Sequence, residues 1–272
     1  MNGGASPAWA RAPARGAVLA LTLQASDKEN PMSNAEERYR TAWDSYWSSL
    51  SGAPREVFWD SDPEHGAGRD LRHWEAIADP ALPLLDVGCG NGTQTRFLAD
   101  RFSRVLGLDV SGEAVELARR THRAPGLEFR TLDVIRAEEA AALHAEIGDA
   151  NVYVRAVLHQ LSPEHRPAAV RSLRTLLGAR GTLFLVELAP TVGAYFASLA
   201  DPHGAPPPGL ARVKQHGITP GGIGDDDRVA LFPADRFERL AEGDGTIVTT
   251  HLLPEGGVAE APMHFVVLRP RP

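Results

Sequence analysis

The feature that most constrains the fold is a glycine-rich turn between a short apolar strand and a helix. Residues 84–92 read Leu-Leu-Asp-Val-Gly-Cys-Gly-Asn-Gly. Glycine lets a backbone turn tightly and approach a ligand where any Cβ atom would collide. The helix that follows offers free N–H groups in its first turn, and ligands of open α/β sheets bind at the carboxyl ends of the strands. The turn therefore predicts a ligand site at residues 88–92.

The spacing of the glycines indicates which ligand the turn suits. A dinucleotide-binding fingerprint reads Gly-x-Gly-x-x-Gly/Ala, but the sixth position counted from Gly88 is Thr93. The sequence instead reads Asp-x-Gly-x-Gly-x-Gly, with Asp86 inside the strand. The turn therefore disfavours a nicotinamide dinucleotide.

Apolar segments alternate with helical ones from this turn onward. Strands are predicted over residues 84–87, 105–109, 127–130, 151–155 and 182–188, and helices over residues 93–102, after the capping residue Ser111, over residues 138–147, and from Ser162 and Pro163 to Gly178. Such alternation predicts a mostly parallel α/β sheet with helices on both faces. Two closing strands, residues 246–252 and 264–268, bring the count to seven, and we expect an antiparallel last strand.

Three segments flank or interrupt this pattern. Residues 1–31 are rich in Ala, Gly and Pro and predict a disordered tail, with Met32 as an alternative start. Residues 34–79 predict helices. An aromatic stripe lies in the first of them, and the second covers residues 71–78. Residues 190–245 predict an insertion with helices near residues 194–199 and 234–241. We expect one domain over residues 32–272, with its core at residues 80–188 and 246–272.

Four motifs in sequence order resemble those of the class I S-adenosylmethionine-dependent methyltransferases. They are the glycine-rich turn, the acidic end of the second strand at residues 106–109, Leu-Asp-Val at residues 132–134, and residues 151–159. Residues 176–183 resemble the family's turn into the fifth strand. The resemblance implies a Rossmann-like, doubly wound fold, S-adenosyl-L-methionine as cofactor and S-adenosyl-L-homocysteine as product.

The resemblance also implies which residues hold the cofactor. Asp109 takes the place of the family's acidic residue that accepts hydrogen bonds from both ribose hydroxyls, as a carboxylate does well. Asp133 takes the place of the residue that faces the adenine amino group. The full set of expected cofactor-binding residues is Asp86, Gly88, Cys89, Gly90, Asp109, Val110, Asp133, Val134 and Arg155.

His159, just after the fourth strand, is the candidate catalytic residue. A base is needed only where the nucleophile must lose a proton, and the titration range of histidine suits that task. The alternative is a histidine at a helix start, bonded to the backbone. The candidate acceptor-side residues are Tyr39, Trp43, Trp47, Trp59, Glu187 and Tyr195. The aromatic residues among them either pack an N-terminal helix or form a lid that favours a cation, and Glu187 alternatively forms a strand-end ion pair.

The composition limits which classes of molecule the protein is expected to bind. The net charge of −7 disfavours a nucleic-acid partner, and the single cysteine, Cys89, excludes an intrachain disulfide and a cysteine-based zinc cluster. The acidic run at residues 225–227 predicts a solvated face, so no metal is expected. No apolar run approaches the ~20 residues that span a membrane. We expect a cytoplasmic monomer or homodimer that acts on a small molecule.

Three functions remain open at this point. The first is methylation of a small molecule, with oxygen favoured as acceptor atom and specialised metabolism as the setting. The others are methylation of a protein or RNA, and cofactor binding without turnover. Residues 190–245 match no pattern of the family, so the acceptor does not carry over. We hypothesise that this insertion builds the acceptor site, since disorder, its alternative, would not need apolar anchors such as Phe196 and Phe237.

Overall fold

The computed structural model describes residue 1, residues 31–201 and residues 203–272. Its seven-stranded sheet has the order β3-β2-β1-β4-β5-β7-β6, in which β1 to β5 are parallel and β7 runs antiparallel to both neighbours. The strands are β1 Leu84–Val87, β2 Val105–Asp109, β3 Leu127–Thr131, β4 Asn151–Arg155, β5 Leu183–Leu188, β6 Phe237–Leu252 and β7 Val258–Pro270. The predicted Rossmann-like sheet, with its antiparallel last strand, is confirmed.

Helices cover both faces of this sheet. Within the described ranges they are α1 Pro31–Ser48, α2 Ala67–Trp74, α3 Thr93–Leu98, α4 Gly112–Thr121, α5 Ala137–Ile147, α6 Arg166–Leu177, α7 Val192–Ser198, α8 Pro208–Gln215 and α9 Asp225–Leu231. The acidic run at residues 225–227 forms the exposed first turn of α9. The expected tail at residues 1–31 falls almost wholly on residues 2–30, which lie outside the described part.

Side chains alternate between two cores along each buried strand. In β4, Val152 packs on the face covered by α5 and α6, whereas Tyr153 packs on the other face with Trp74 of α2. Phe184 of β5 lies on that second face and stacks on Tyr153 at a centroid separation of 5.9 Å. Because both faces are covered, the short strands consist of apolar residues with few exceptions. Two of the exceptions, Asp86 and Asp109, lie toward the carboxyl edge of the sheet.

The β6–β7 hairpin is longer than the rest of the sheet. Leu188, the last residue of β5, pairs with Met263, so residues 246–252 and 258–262 project beyond the carboxyl edge. This overhang bonds to the segment between α1 and α2, because Thr250 N donates to Phe58 O at 2.8 Å. The hairpin therefore forms a wall above the edge where ligands of such sheets bind.

Two sequence predictions about local structure are wrong. Residues 234–241 are not a helix, because β6 begins at Phe237 and pairs with β7 up to Pro270. Strand pairing here overrides the helix propensity of the Glu, Arg, Leu and Ala residues. The helix expected from Ser162 begins only at Arg166. A turn precedes it, closed by His165 N donating to Ser162 O at 2.9 Å.

Candidate active site

The glycine-rich turn makes a cradle that side chains would fill. Gly88 follows β1 with a φ of 80°, and a Cβ atom there would lie 2.3 Å from Val157 Cγ2. Gly90 has a φ of 54°, and its Cβ atom would lie 2.7 Å from Trp47 Cζ2 of α1. The cradle is therefore closed on one side by the segment after β4 and on the other by α1.

Asp86 anchors the base of this cradle. Its carboxylate is buried and accepts a hydrogen bond of 2.6 Å from Thr95 Oγ1 in α3. Burial raises the pKa of Asp86 to about 7, against the opposing effect of the Thr95 hydroxyl. The residue thus ties the end of β1 to the helix that begins after the turn.

Asp109, at the end of β2, is held by two backbone amides. Gly90 N and Ser111 N each donate to its carboxylate at 2.9 Å. Burial raises the pKa of Asp109 to about 6, the two amides oppose this, and the carboxylate of Asp44 adds to it. Each carboxylate oxygen retains a lone pair, so Asp109 can still accept bonds from two hydroxyl groups.

Asp133, after β3, is paired with a side chain of helix α1. Its Oδ1 accepts from Ile135 N at 3.2 Å, and Arg40 Nη2 of α1 lies 3.2 Å from its Oδ2. The neighbouring Leu132 and Val134 line the same pocket with apolar side chains. The acidic residues thus stand at the ends of three adjacent strands. Together with the glycine cradle they fit an adenosyl cofactor. Asp109 at β2 can accept hydrogen bonds from two hydroxyl groups, and Asp133 at β3 places a carboxylate between apolar side chains.

The turn after β4 is built around a buried carboxylate. Glu187 of β5 accepts from Val157 N at 3.1 Å and Leu158 N at 2.7 Å through Oε1, and from His159 N at 3.1 Å through Oε2. The same Oε2 lies 2.6 Å from His159 Nδ1. Glu187 itself does not line the pocket, but His159 does. The carboxylate therefore fixes both the backbone and the imidazole of this turn.

The second imidazole nitrogen of His159 faces a neighbouring amide. Its Nε2 lies 2.6 Å from Gln160 Nε2, and both residues line the pocket. An ionised carboxylate can only accept, so the pairing with Glu187 favours the His159 tautomer that carries its proton on Nδ1. The lone pair of Nε2 then receives the Gln160 amide.

Arg155, the last residue of β4, is a buried arginine that faces helix α2. Arg155 Nε is 3.4 Å from Asp70 Oδ2 of α2, and their side chains are 8% and 6% exposed. Tyr153 OH donates to the same Asp70 Oδ2 at 2.6 Å. Burial raises the pKa of Asp70, and the charge of Arg155 opposes the rise. Arg155 thus adds a buried positive charge to the lining of the pocket.

Aromatic side chains roof the pocket. Trp43 meets Trp59 edge to face at a centroid separation of 5.8 Å, and Tyr46 stacks on Trp59 at 5.5 Å. Beneath these residues, the overhanging hairpin contributes Ile247 and Ala261. The result is an enclosed, largely apolar chamber beside the glycine cradle.

The structure brings most of the predicted site residues into one pocket. Its lining includes Tyr39, Trp43, Trp47, Trp59, Asp86, Gly88, Cys89, Gly90, Asp109, Val110, Asp133, Val134, Arg155 and His159. Tyr195 does not line it, because its OH accepts from Glu260 N at 2.8 Å and braces the hairpin instead. Cys89 lines the pocket, but its side chain also packs in a cluster with Phe129.

Several lining residues escaped the sequence interpretation. They are Phe58, Asp60, Gln94, Leu161, Pro220, Ile247, Thr249 and Ala261, among others. Asp60 accepts from Asn91 Nδ2 at 2.6 Å and from Thr93 Oγ1 at 2.8 Å, so it braces the glycine-rich turn from the α1–α2 connection. The sequence indicates that the polar side chains of the glycine-rich turn need a hydrogen-bond partner. It does not indicate that Asp60 is this partner.

The insertion contributes less to the pocket than we hypothesised. Of residues 190–245, only Phe196 and Pro220 line it within the described part. Val213 and Ile218 instead pack beneath α1. Phe237 pairs with Pro270, beyond the start of β5 and so at the opposite edge of the sheet. Much of the acceptor side is formed by the hairpin, which we had counted as core.

Neither a metal-binding cluster nor a membrane-spanning helix occurs among the described residues. They contain no group of three or more His, Cys, Asp or Glu side chains placed to hold a metal ion. None of their helices combines the length and apolar character needed to cross a membrane.

Comparisons with known proteins agree with this geometry. A family model described as a methyltransferase domain matches residues 84–181. An S-adenosylmethionine-dependent methyltransferase from Anabaena variabilis ATCC 29413 is 40% identical and has a TM-score of 0.80; the match covers 85% of this chain and 94% of that one. The ubiquinone biosynthesis O-methyltransferase of Xanthomonas campestris pv. campestris (strain B100) is 28% identical over 174 residues, which are 61% of this chain and 68% of the relative.

A more distant structure shares the fold. The N-methyltransferase NodS from Bradyrhizobium japonicum WM9, solved with S-adenosyl-L-homocysteine, is 15% identical; the match covers 86% of this chain and 100% of that one, with a TM-score of 0.54. The cradle, the acidic residues and the similarity to the Anabaena protein lead to one conclusion. This chain belongs to the class I S-adenosylmethionine-dependent methyltransferases, with S-adenosyl-L-methionine as its cofactor.

Proposed function

We propose that the protein methylates an oxygen atom of a small molecule, with His159 as the general base, in specialised metabolism. One observation carries the choice of oxygen. His159 Nδ1 lies 2.6 Å from Glu187 Oε2, and this pairing directs Nε2 to Gln160, a residue that lines the pocket. A hydroxyl acceptor must lose a proton as it is methylated, and a neutral imidazole can take that proton.

The chain's own residues have separable tasks in this reaction. The glycine cradle, Asp109 and Asp133 hold the cofactor, which, when bound, supplies an electrophilic methyl group. The aromatic roof and the hairpin exclude water and align the acceptor, and alignment is the main contribution an enzyme makes to a direct displacement. His159 Nε2 receives the hydroxyl proton, and Glu187 stabilises the imidazolium that forms.

Gln160 occupies the position that the acceptor hydroxyl would take. Its amide lies 2.6 Å from His159 Nε2, a hydrogen-bond distance. An acceptor whose hydroxyl donates to Nε2 must displace this amide, which then is free to contact the acceptor. In this proposal Gln160 keeps the base in the correct tautomer until the acceptor arrives.

Two further observations support a small oxygen acceptor. The chamber is roofed by α1 and walled by the hairpin, which suits a small molecule better than a protein or RNA segment. The Xanthomonas campestris relative is named as an O-methyltransferase. A cytoplasmic location and a monomeric or homodimeric state stay predictions.

The test is methyl transfer to a panel of phenols, alcohols, carboxylates, amines and thiols, with products identified by mass spectrometry. We expect turnover of hydroxyl compounds, and His159→Gln should lower kcat by about 100-fold to 10,000-fold while S-adenosylhomocysteine affinity is kept. His203→Gln, in an exposed turn, is the matched control. Full activity of the His159→Gln variant, or turnover of amines alone, would refute the proposal. Cofactor binding without turnover of any acceptor would favour a binding module.

A further inference from the structure

Arg155 is a buried cation whose hydrogen-bonding capacity the described residues do not use. Its side chain is 8% exposed, and its one ion-pair partner there is Asp70. The Nε atom lies 3.4 Å from Asp70 Oδ2 but makes no hydrogen bond within the described residues. A guanidinium carries five N–H donors, and burying donors without acceptors is unfavourable. The group is therefore one acceptor short.

Asp70 holds Arg155 through a long Nε contact of 3.4 Å. Its Oδ2 already accepts from Tyr153 OH at 2.6 Å, and this same oxygen is the one nearest to Arg155. Arg155 is also among the residues that line the pocket, which Asp70 is not. The guanidinium is thus held from behind by Asp70, on the α2 side, and borders the pocket in front.

The surroundings of Arg155 indicate what kind of molecule would supply the acceptor atoms. On its face of the sheet the pocket is lined by Tyr153, Leu188 of β5, Phe196 of α7 and the hairpin, with the carboxyl group of Asp86 toward the glycine cradle. A ligand that fits there has an apolar body and an anionic end. A carboxylate matches the guanidinium, because its two oxygens accept two parallel N–H bonds.

We propose that Arg155 binds a carboxylate of the acceptor, so that the substrate is an apolar hydroxy acid whose hydroxyl reaches His159. This inference rests on the proposed function, since it assumes that the chamber holds the acceptor. Leu188, Phe196 and the hairpin lie beyond residues 84–181, the part that the methyltransferase family model matches. Arg155 therefore borders the part of the pocket that lies outside the family model. This inference departs from the family resemblance, which implies that Arg155 binds the cofactor. The amino-acid end of the cofactor is accordingly the rival source of a carboxylate.

The test is binding of matched acids and amides to the protein saturated with S-adenosylhomocysteine. The probes are 3-(4-hydroxyphenyl)propanoate, 4-hydroxycinnamate and 10-hydroxydecanoate, each against its primary amide, followed by ligand-observed NMR. We expect at least one acid to bind about tenfold more tightly than its amide. Arg155→Gln should remove this preference, and Arg155→Lys should keep part of it. Arg120→Gln, on the exposed side of α4, is the control.

The variant Arg155→Gln leaves Asp70 buried without its cation, so its folding is a separate question. The double variant Asp70→Asn/Arg155→Gln removes both charges and keeps an oxygen for Tyr153 OH, and we expect it to fold and to bind acid and amide equally. S-adenosylhomocysteine should bind every variant as it binds the wild type.

Three results would overturn the inference: no acid binds the wild type, acids and amides bind alike, or the acid preference survives in the double variant. Loss of S-adenosylhomocysteine affinity by about tenfold with the acid preference kept would assign Arg155 to the cofactor's carboxylate. The assay reads binding alone, so a failure of His159 as base would appear in the turnover test and leave this result unchanged.

Discussion

The imidazole Nδ1 of His159 lies 2.6 Å from Glu187 Oε2, and both side chains are 1% exposed. The same carboxylate accepts backbone N–H bonds from residues 157, 158 and 159. A single residue of β5 therefore fixes the turn after β4 and the orientation of the imidazole together. The structure departs from the alternative of a histidine bonded to the backbone, because both ring nitrogens of His159 pair with side chains, and the backbone bonds of this turn go to Glu187 instead.

Glu187→Gln should destabilise the protein even without any ligand. An amide has one acceptor oxygen, so at least one of the buried donors now paired with Oε1 and Oε2 would lose its partner. Each buried donor left unpaired costs about 1–3 kcal/mol. We expect the free energy of unfolding in urea to fall by about 2–4 kcal/mol.

Glu255→Gln is the matched control, because Glu255 lies exposed in the turn of the hairpin. Its free energy of unfolding should change by less than about 0.5 kcal/mol. Equal stability of the Glu187→Gln variant and the wild type would contradict the view that this carboxylate organises the turn.

Gly88→Ala should abolish cofactor binding through a steric conflict. The new Cβ atom would lie 2.3 Å from Val157 Cγ2, in a backbone conformation with a φ of 80°. The double variant Gly88→Ala/Val157→Ala removes the contacting methyl group, so it should recover part of the affinity for S-adenosylhomocysteine in calorimetry. The backbone strain remains, at a cost of about 1 kcal/mol.

Gly193→Ala serves as the control for this pair, because a Cβ atom there has no neighbour within 4 Å. It lies in α7, where alanine is the better helix former, so stability should be kept or slightly raised. If Gly88→Ala binds the cofactor normally, the turn is not the close-fitting cradle that we describe.

Local features of the site could be predicted from the sequence because neighbouring residues determine them. Asp86 lies in β1, Gly88 and Gly90 follow that strand, and Asp109 ends β2, so parallel pairing of β1 with β2 is enough to bring them together. The cap of α4 is of the same kind, since Ser111 Oγ accepts from Ala114 N at 3.2 Å as predicted.

The acceptor side could not be predicted, because it depends on contacts between distant segments. Which part of the hairpin overhangs the sheet follows from the register of Leu188 with Met263, and no local pattern sets that register. The bracing of Asp60 against Asn91 likewise joins segments 31 residues apart. Tyr195 was assigned to the acceptor because it is aromatic and follows β5, but its hydroxyl faces the hairpin backbone.

Tyr195→Phe should therefore affect the hairpin and not the cofactor. The change removes the oxygen that accepts from Glu260 N at 2.8 Å and keeps the ring. We expect the free energy of unfolding to fall by about 1 kcal/mol, with unchanged S-adenosylhomocysteine affinity. Hydrogen exchange at the Glu260 amide should be faster in the variant. Unchanged exchange at that amide would show that Tyr195 does not brace the strand.

Binding of S-adenosylhomocysteine should weaken as the pH falls through about 6, where Asp109 titrates. Ribose hydroxyls donate to the ionised carboxylate, so protonation opposes binding, by up to about tenfold per pH unit below the pKa. Without the cofactor, ionisation of Asp109 has the opposite effect, because it lowers the stability of the folded protein. The folded state binds this proton more tightly than the unfolded chain does, so the contribution of Asp109 to stability is lost as the pH rises through about 6.

The carboxylate of Asp44 supplies an independent test that Asp109 causes the decline in affinity near pH 6. Asp44 raises the pKa of Asp109, and its Oδ1 accepts from Ser111 Oγ at 2.6 Å. Asp44→Asn removes the charge and keeps an acceptor for this hydroxyl, so the decline in affinity should begin at a lower pH than in the wild type.

Asp109→Asn should bind S-adenosylhomocysteine at least about tenfold more weakly near neutral pH and lose the pH-dependent decline. The measurement is calorimetric titration with S-adenosylhomocysteine from about pH 5 to about pH 8. If the decline persists unchanged in Asp109→Asn, another group titrates in this range, and the buried Asp86, with its pKa raised to about 7, is the first to examine.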